Sequence, residues 1–206
     1  MAYPIPSESV ETELEVKKSR FITRAAIAPD RSAAMAVLEQ ARRDYPDARH
    51  HCWAYLLGNP QQPSSLAMSD DGEPSGTAGK PILNVLQHSG IGDLVVVVIR
   101  YFGGIKLGAG GLVRAYSAAA QQAIDALPVE QRVPRIHCRV ACDFAQEHYL
   151  RHWLTGQDAL LGEALYSTGV ELPVDLPVAA LADLQGEALA QGWELRELPE
   201  TEGQKQ

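Results

Sequence analysis

The stretch Asp93–Leu127, "DLVVVVIRYFGGIKLGAGGLVRAYSAAAQQAIDAL", sets the architecture. Leu94 to Ile99 is apolar without a break and almost entirely β-branched. The alternation of a half-exposed strand is missing, so this run is expected to be a central strand buried on both faces. After a glycine-rich turn, Leu112, Tyr116, Ala119, Ala120, Ala123 and Leu127 recur at helical spacing. Arg114, Ser117, Gln121 and Asp125 fall on the other side, which predicts an amphipathic helix.

The same reading extends upstream. "PILNVLQHSG" (81–90) reads as a helix opened by Pro81 and closed by Gly90. "ARHHCWAYLLG" and "SSLAMS" read as strands, as do "ETELEV" and "SRFITRAAIA" nearer the N-terminus. Between the two pairs, "PDRSAAMAVLEQARRDYP" reads as a helix. Asp30 is its N-cap, Ala34, Met35, Leu38, Ala41 and Tyr45 its apolar stripe, and Pro46 its stop. Downstream, "PVEQRVPR" (128–135) has two prolines and no periodicity and reads as a linker. The segments after it follow the order β-α-β-β-α-β, the split βαβ or ferredoxin-like arrangement. The tail "PETEGQKQ" reads as disordered. The fold class is therefore α+β with two domains, at 1–130 and 136–199.

Composition narrows the function classes. The chain has 206 residues, 46% hydrophobic and 21% charged, as in ordinary globular proteins. No apolar run approaches the roughly 20 residues of a membrane span. The first twenty residues carry four glutamates and no apolar core, unlike a targeting peptide. Three cysteines without a CxxC suit a reducing compartment, so the expected location is the cytoplasm. Cys138 and Cys142 share a strand face but lie too far apart along it to bond to each other. Charge is uneven. Residues 1–135 hold 14 Lys+Arg and 14 Asp+Glu, whereas residues 136–206 hold 4 and 12, so the whole formal charge of −8 sits in the second part. A polyanion would have to be met by clustered cations of the first part.

Two glycine-rich loops each lead into a predicted helix. "SDDGEPSGTAGKP" (69–81) does not make a Walker A loop, since Pro74 and Pro81 stand where its first glycine and its hydroxyl belong. "LGAGGLVRA" has Val113 where the dinucleotide fingerprint needs its third glycine. What remains is a pair of helix starts, which favour anions. Gly79 and Lys80 belong to the first; Gly108, Gly110, Gly111 and Arg114 to the second. Arg100 and Lys106 lie just ahead of the second, giving four cations within reach of a ligand. Three readings stay open: Asp70, Asp71 and Glu73 neutralise those cations in a salt-bridged loop; a phosphate from a nucleotide or nucleic acid binds; or the three acids hold a divalent metal. Adjacent His50 and His51 point to opposite strand faces, and His148/His152 lack the glutamate of a metalloprotease helix, so no metal site is assigned. Tyr101, Phe102, His50 and Trp53 are aromatic groups able to stack on bases, with burial in the sheet the simpler expectation.

These two loops carry a resemblance. "SDDGEPSGTAGKPILNVL", "VVVVIRYFGGIKLGAGGLVRAYSAAA" and the earlier "EVKKSRFI" (15–22) resemble the IMPACT family in its bacterial YigZ-like branch. The resemblance implies a first domain with the fold of ribosomal protein S5 domain 2. It also implies a second, ferredoxin-like domain similar to later domains of elongation factor G. Functionally it implies a role in translation, with RNA or ribosome as the partner. The leading expectation is a translation-associated, non-enzymatic binding protein. The alternatives are an enzyme or sensor for a nucleotide or small phosphorylated metabolite with magnesium, and a protein-interaction module working through the acidic second domain. No cofactor is expected outside the magnesium alternative.

Overall fold

The computed structural model describes residues 2–198, so the tail from 199 lies outside the described residues. The chain divides into two compact units, one spanning Tyr3–Arg132 and the other beginning at Val133.

The first unit runs β1 (Tyr3–Pro6), β2 (Val10–Val16), β3 (Ser19–Ile27), α1 (Arg31–Asp44), β4 (His50–Leu57), β5 (Ser65–Ser69), α2 (Gly79–Ser89), β6 (Leu94–Tyr101), α3 (Ala109–Ala126) and β7 (Val129–Arg132). Its main sheet has the order β2-β3-β6-β4-β5, with every pairing antiparallel. β6 is central, and Leu94 to Arg100 are all buried. The uninterrupted apolar run arises because helices cover both faces of an antiparallel sheet. Phe21, Cys52, Val96 and Val98 pack with Ile82, Leu86, Leu112 and Tyr116 of α2 and α3. Ile22, Tyr55, Val95, Val97 and Ile99 pack with Ala34, Leu38 and Ala41 of α1. The expected caps form as well. The Asp30 carboxylate accepts from Ala33 N at 2.8 Å, and Gly90 closes α2 in the left-handed region at φ 71°.

One reading is corrected. The proposed linker at 128–135 is half strand: Val129–Arg132 pairs antiparallel with Tyr3–Pro6 at the other end of the unit. All four residues of β7 are exposed, so no apolar alternation could announce it. A buried acid holds the pair in place. Asp93, 1% exposed, accepts from Tyr3 Oη at 3.0 Å and Gly58 N at 2.7 Å, and pairs with Arg132.

The second unit runs β8 (Arg135–Cys142), α4 (Glu147–Gly156), β9 (Leu160–Leu161), β10 (Leu165–Tyr166), β11 (Val170–Pro177), α5 (Leu181–Gln191) and β12 (Glu194–Glu197). The sheet order is β12-β8-β11, with β9 and β10 both on the outer edge of β11 and all pairings antiparallel. β11 alternates strictly, Val170, Leu172, Val174 and Leu176 inward, and packs with Cys138, Val140 and Cys142 against Leu150, Leu154 and Leu184 of the two helices. All three cysteines are free and buried. No helix among the described residues is long and apolar enough to cross a membrane.

Candidate functional site

The acids of the first glycine loop are spent inside the protein. Asp70 ends β5's turn and caps α2 from a distance: its carboxylate accepts from Gly76 N at 2.8 Å, Ala78 N at 3.0 Å and Gly79 N at 2.8 Å. Burial pushes its carboxyl up, but these three donors outweigh burial and hold it below the ordinary carboxylate value. Gly79 is obligatory because a Cβ there would sit 2.9 Å from the Ser69 backbone. Asp71, at φ 43°, accepts from His51 N at 2.6 Å and pairs with Arg42 at 3.3 Å. Glu73 is buried and accepts from Arg100 Nη1 at 2.6 Å and from Tyr116 Oη at 2.8 Å. The expectation that α2's start offers its N–H groups to a ligand is thus corrected at Ala78 and Gly79, whose N–H groups Asp70 already takes. Among the described residues no group of three or more His, Cys, Asp or Glu side chains is arranged to hold a metal.

Behind Glu73 lies a buried polar chain. Cys52 Sγ donates to Asp70 O at 3.0 Å and lies 3.3 Å from Tyr116 Oη. Burial first, then the nearby acids, push the Cys52 thiol up to about 12, although its contact with Tyr116 opposes this. Burial and the neighbouring Cys52 and Glu73 raise the Tyr116 phenol far above its ordinary value, so it remains a donor. Phe21 packs edge-on to Tyr116 at 5.2 Å and also lies 5.6 Å from the Arg100 guanidinium carbon.

The second glycine loop behaves differently. Gly108 precedes α3 at φ 72° and ψ 166°, a conformation essentially restricted to glycine. As a glycine it has no side chain to cap the helix, whose first N–H groups have no intrahelical partner. This start opens onto a cavity of about 550 Å³. Its lining comes from the α3 start (Gly108, Ala109 and Leu112), the end of β6 and the loop after it (Arg100 to Phe102, Lys106 and Leu107), the first glycine loop (Glu73 and Pro74) and the α1–β4 region (Asp47, Arg49 and His50). Arg100 is 7% exposed, and its Nε, itself enclosed, has no hydrogen-bond partner among the described residues. Phe102 is the reverse case, 58% exposed with its ring centre 5.7 Å from the same guanidinium carbon. Lys106 and Arg49 are exposed and make no ion pair among the described residues.

The four cations expected to converge do not. Arg100 and Lys106 share the cavity, whereas Lys80 is exposed on α2 and lines no part of it. Arg114 lines a separate hollow of about 260 Å³ with Val16, Lys17 and Gly111. Gly79, Gly110, Asp70 and Asp71 also lie outside the cavity lining. Arg49, Asp47, Pro74 and Leu107 belong to the cavity and were not anticipated. Their signal is register, for His50 pairs directly with Arg100 across β4 and β6, which brings the α1–β4 loop to the end of β6.

With this geometry in view, known proteins give a consistent comparison. The Impact N-terminal domain matches residues 17–124, which hold every residue of the cavity. The chain belongs to the IMPACT family. The IMPACT family member YigZ of Escherichia coli (strain K12) is 44% identical over 186 residues, covering 87% of this chain and 88% of that protein. The IMPACT family member YvyE of Bacillus subtilis (strain 168) is 35% identical, covering 82% and 77%. A crystal structure described as that of a hypothetical protein matches 97% of this chain and 98% of its own at a TM-score of 0.72 and 38% identity. The IMPACT likeness thus extends beyond the N-terminal domain into the second unit.

Proposed function

We propose that this IMPACT family member is a non-enzymatic, translation-associated regulatory protein of the cytoplasm, whose first unit binds RNA or the ribosome by phosphate contacts. The supporting observation is a cavity that brings together the start of α3 and three cationic side chains, Arg49, Arg100 and Lys106. Unpaired helix N–H groups with their partial positive charge, together with a guanidinium, suit a phosphate. Lys106 and Arg49, exposed residues of the same lining, add positive charge that has no ion pair among the described residues. The two units are read as an S5 domain 2-like fold and a ferredoxin-like fold, the latter on the strand order of its sheet. The acidic second unit disfavours a polyanion, which supports contact through the first.

The test is anisotropy of a labelled structured RNA titrated with the full chain at salt from about 50 to 200 mM. Each neutralised phosphate on a single strand contributes roughly −0.7 to the slope of log K against log salt. Arg49→Ala/Lys106→Ala, both at exposed positions, is expected to flatten that slope by ~1.4. No binding at the lowest salt, or an unchanged slope in the double variant, overturns the reading.

A further inference from the structure

The two edges of the first unit's main sheet are finished differently. β2 forms one edge, with Glu11, Glu13 and Glu15 alternating along it. Glu11 and Glu13 pair with Arg24 and Arg20 of β3, and Gln122 of α3 donates to Glu13 O at 3.3 Å. Charge and covering side chains keep an edge strand from pairing with another chain. β5, Ser65–Ser69, forms the other edge and carries neither charge nor proline. Among the described residues, Leu66, Ala67 and Met68 make no hydrogen bond outside the ladder to β4.

The side chains of β5 carry the core outward. Leu66 lies opposite Leu56 and Met68 opposite Ala54, and both β4 residues are fully buried on the face that packs with α2 and α3. Leu66 is nevertheless 40% exposed and Met68 46%. Apolar side chains at the end of a core face, beside an unpaired backbone edge, suit one more strand whose cross-strand neighbours cover them.

The sequence of the strand points to which strand that is. Ser65-Leu66-Ala67-Met68-Ser69 reads almost the same in both directions about Ala67, since leucine and methionine are close in volume. A two-fold axis at Ala67 sets two copies antiparallel, with Leu66 of one opposite Met68 of the other and Ser65 opposite Ser69. Each cross-strand pair is then apolar on apolar or small on small, whichever alternate set of backbone groups faces outward. Charge does not oppose the approach, because residues 1–135 balance 14 Lys+Arg against 14 Asp+Glu. An unrelated extended peptide would need no such symmetry.

We infer that β5 pairs antiparallel with β5 of a second copy of this chain about a two-fold axis at Ala67, so that the two five-stranded sheets become one continuous sheet. The inference is independent of the proposed RNA contact, since no residue of β5 lines that cavity.

The experiment is analytical ultracentrifugation of the full chain from about 10 µM to 1 mM, because a contact of one strand a side lies at the small, weak end of interfaces. The mass is expected to rise across that range from one chain towards two. Met68→Lys, at an exposed position, is expected to weaken association by roughly tenfold or more, because it sets a charge against Leu66 on both sides of the axis. Cross-linking reads the register. Two residues on the axis lie about 4.5–5.5 Å apart at Cα, within disulfide reach, whereas the two copies of Met68 are roughly 8 Å apart and beyond it. Ala67→Cys is therefore expected to give a disulfide-linked dimer with oxidised glutathione, and Met68→Cys, although more exposed, to give little. The native cysteines are buried and do not compete. A chain still monomeric at the highest concentration overturns the inference and leaves the edge to a different extended partner. Association indifferent to Met68→Lys, or cross-linking of Met68→Cys equal to that of Ala67→Cys, overturns it as well and assigns the contact to another surface or register.

Discussion

Tyr116→Phe isolates one hydrogen bond beneath the site. The phenol oxygen donates to Glu73 Oε1 at 2.8 Å, the same oxygen that Arg100 Nη1 reaches at 2.6 Å. Phenylalanine keeps the ring, its edge contact with Phe21 and its volume, so no cavity term enters. Cys52 loses one neighbour but keeps Asp70 O at 3.0 Å as acceptor, so its thiol is not orphaned. What remains is the loss of a donor to a buried carboxylate, worth ~1.5–3 kcal/mol for a bond to a charged group. At 1.36 kcal/mol per decade this is a roughly 10- to 150-fold fall in the stability constant of the first unit. Native-state hydrogen exchange of the β6 amides reads that constant without mixing in the second unit. Because burial raises the phenol's pKa, the donor stays protonated in the folded state. Its contribution is fully present below the unfolded value near 10 and is lost only at higher pH, so the difference is expected to be flat between about pH 6 and 9. A fall of less than about threefold would refute the assignment of Tyr116 as the group that holds Glu73, and with it the account of how Arg100 is fixed.

Two further changes probe the scaffold. Asp70→Asn is expected to cost ~1–2 kcal/mol by weakening the cap on α2, read as a lowered urea midpoint. Since the folded carboxyl lies below its ordinary value, the cost is full above about pH 4 and disappears as pH falls through the folded value; a cost that persists in acid counts against the cap. Asp93→Asn keeps a residue that tolerates the left-handed backbone at φ 48° but removes the charge shared by Tyr3, Gly58 and Arg132. Amides of β1 and β7 are expected to lose exchange protection while β6 keeps its own, and equal protection throughout would show that Asp93 does not tie the two ends of the unit.

What could be read from the sequence follows from how local each signal was. β6 and α3 carry their signals in their own residues, a β-branched run and a helical stripe, and both form as expected. The β1–β7 pair carries none, because its four exposed residues are defined only by a partner over a hundred positions away. The site divides along the same line. That glycine loops open helices was legible; which helix start is free was not. Asp70 caps α2 from nine positions before Gly79, and no cap rule counts that far. Lys80 and Arg114 share the types and spacing of true site cations, but where they project depends on each helix's placement on the sheet. Arg49 enters the cavity through the β4–β6 register alone.

Arg100 carries an energetic cost that its surroundings must offset. Burying a donor without a partner costs ~1–3 kcal/mol, and an arginine in a β-branched strand gains nothing there that valine or isoleucine would not supply. The fold nevertheless surrounds this side chain with a carboxylate aligned by Tyr116, two aromatic rings and a glycine-only turn that leaves a helix start bare. Each is a local departure from what stability alone favours, and departures of this kind gather where function is served. Glu73 neutralises Arg100 well enough to keep it buried, but it reaches only Nη1, so Nε is enclosed without a partner among the described residues. The Glu73–Arg100 pair is thus the reason the unit can fold with an arginine buried at the end of its central strand.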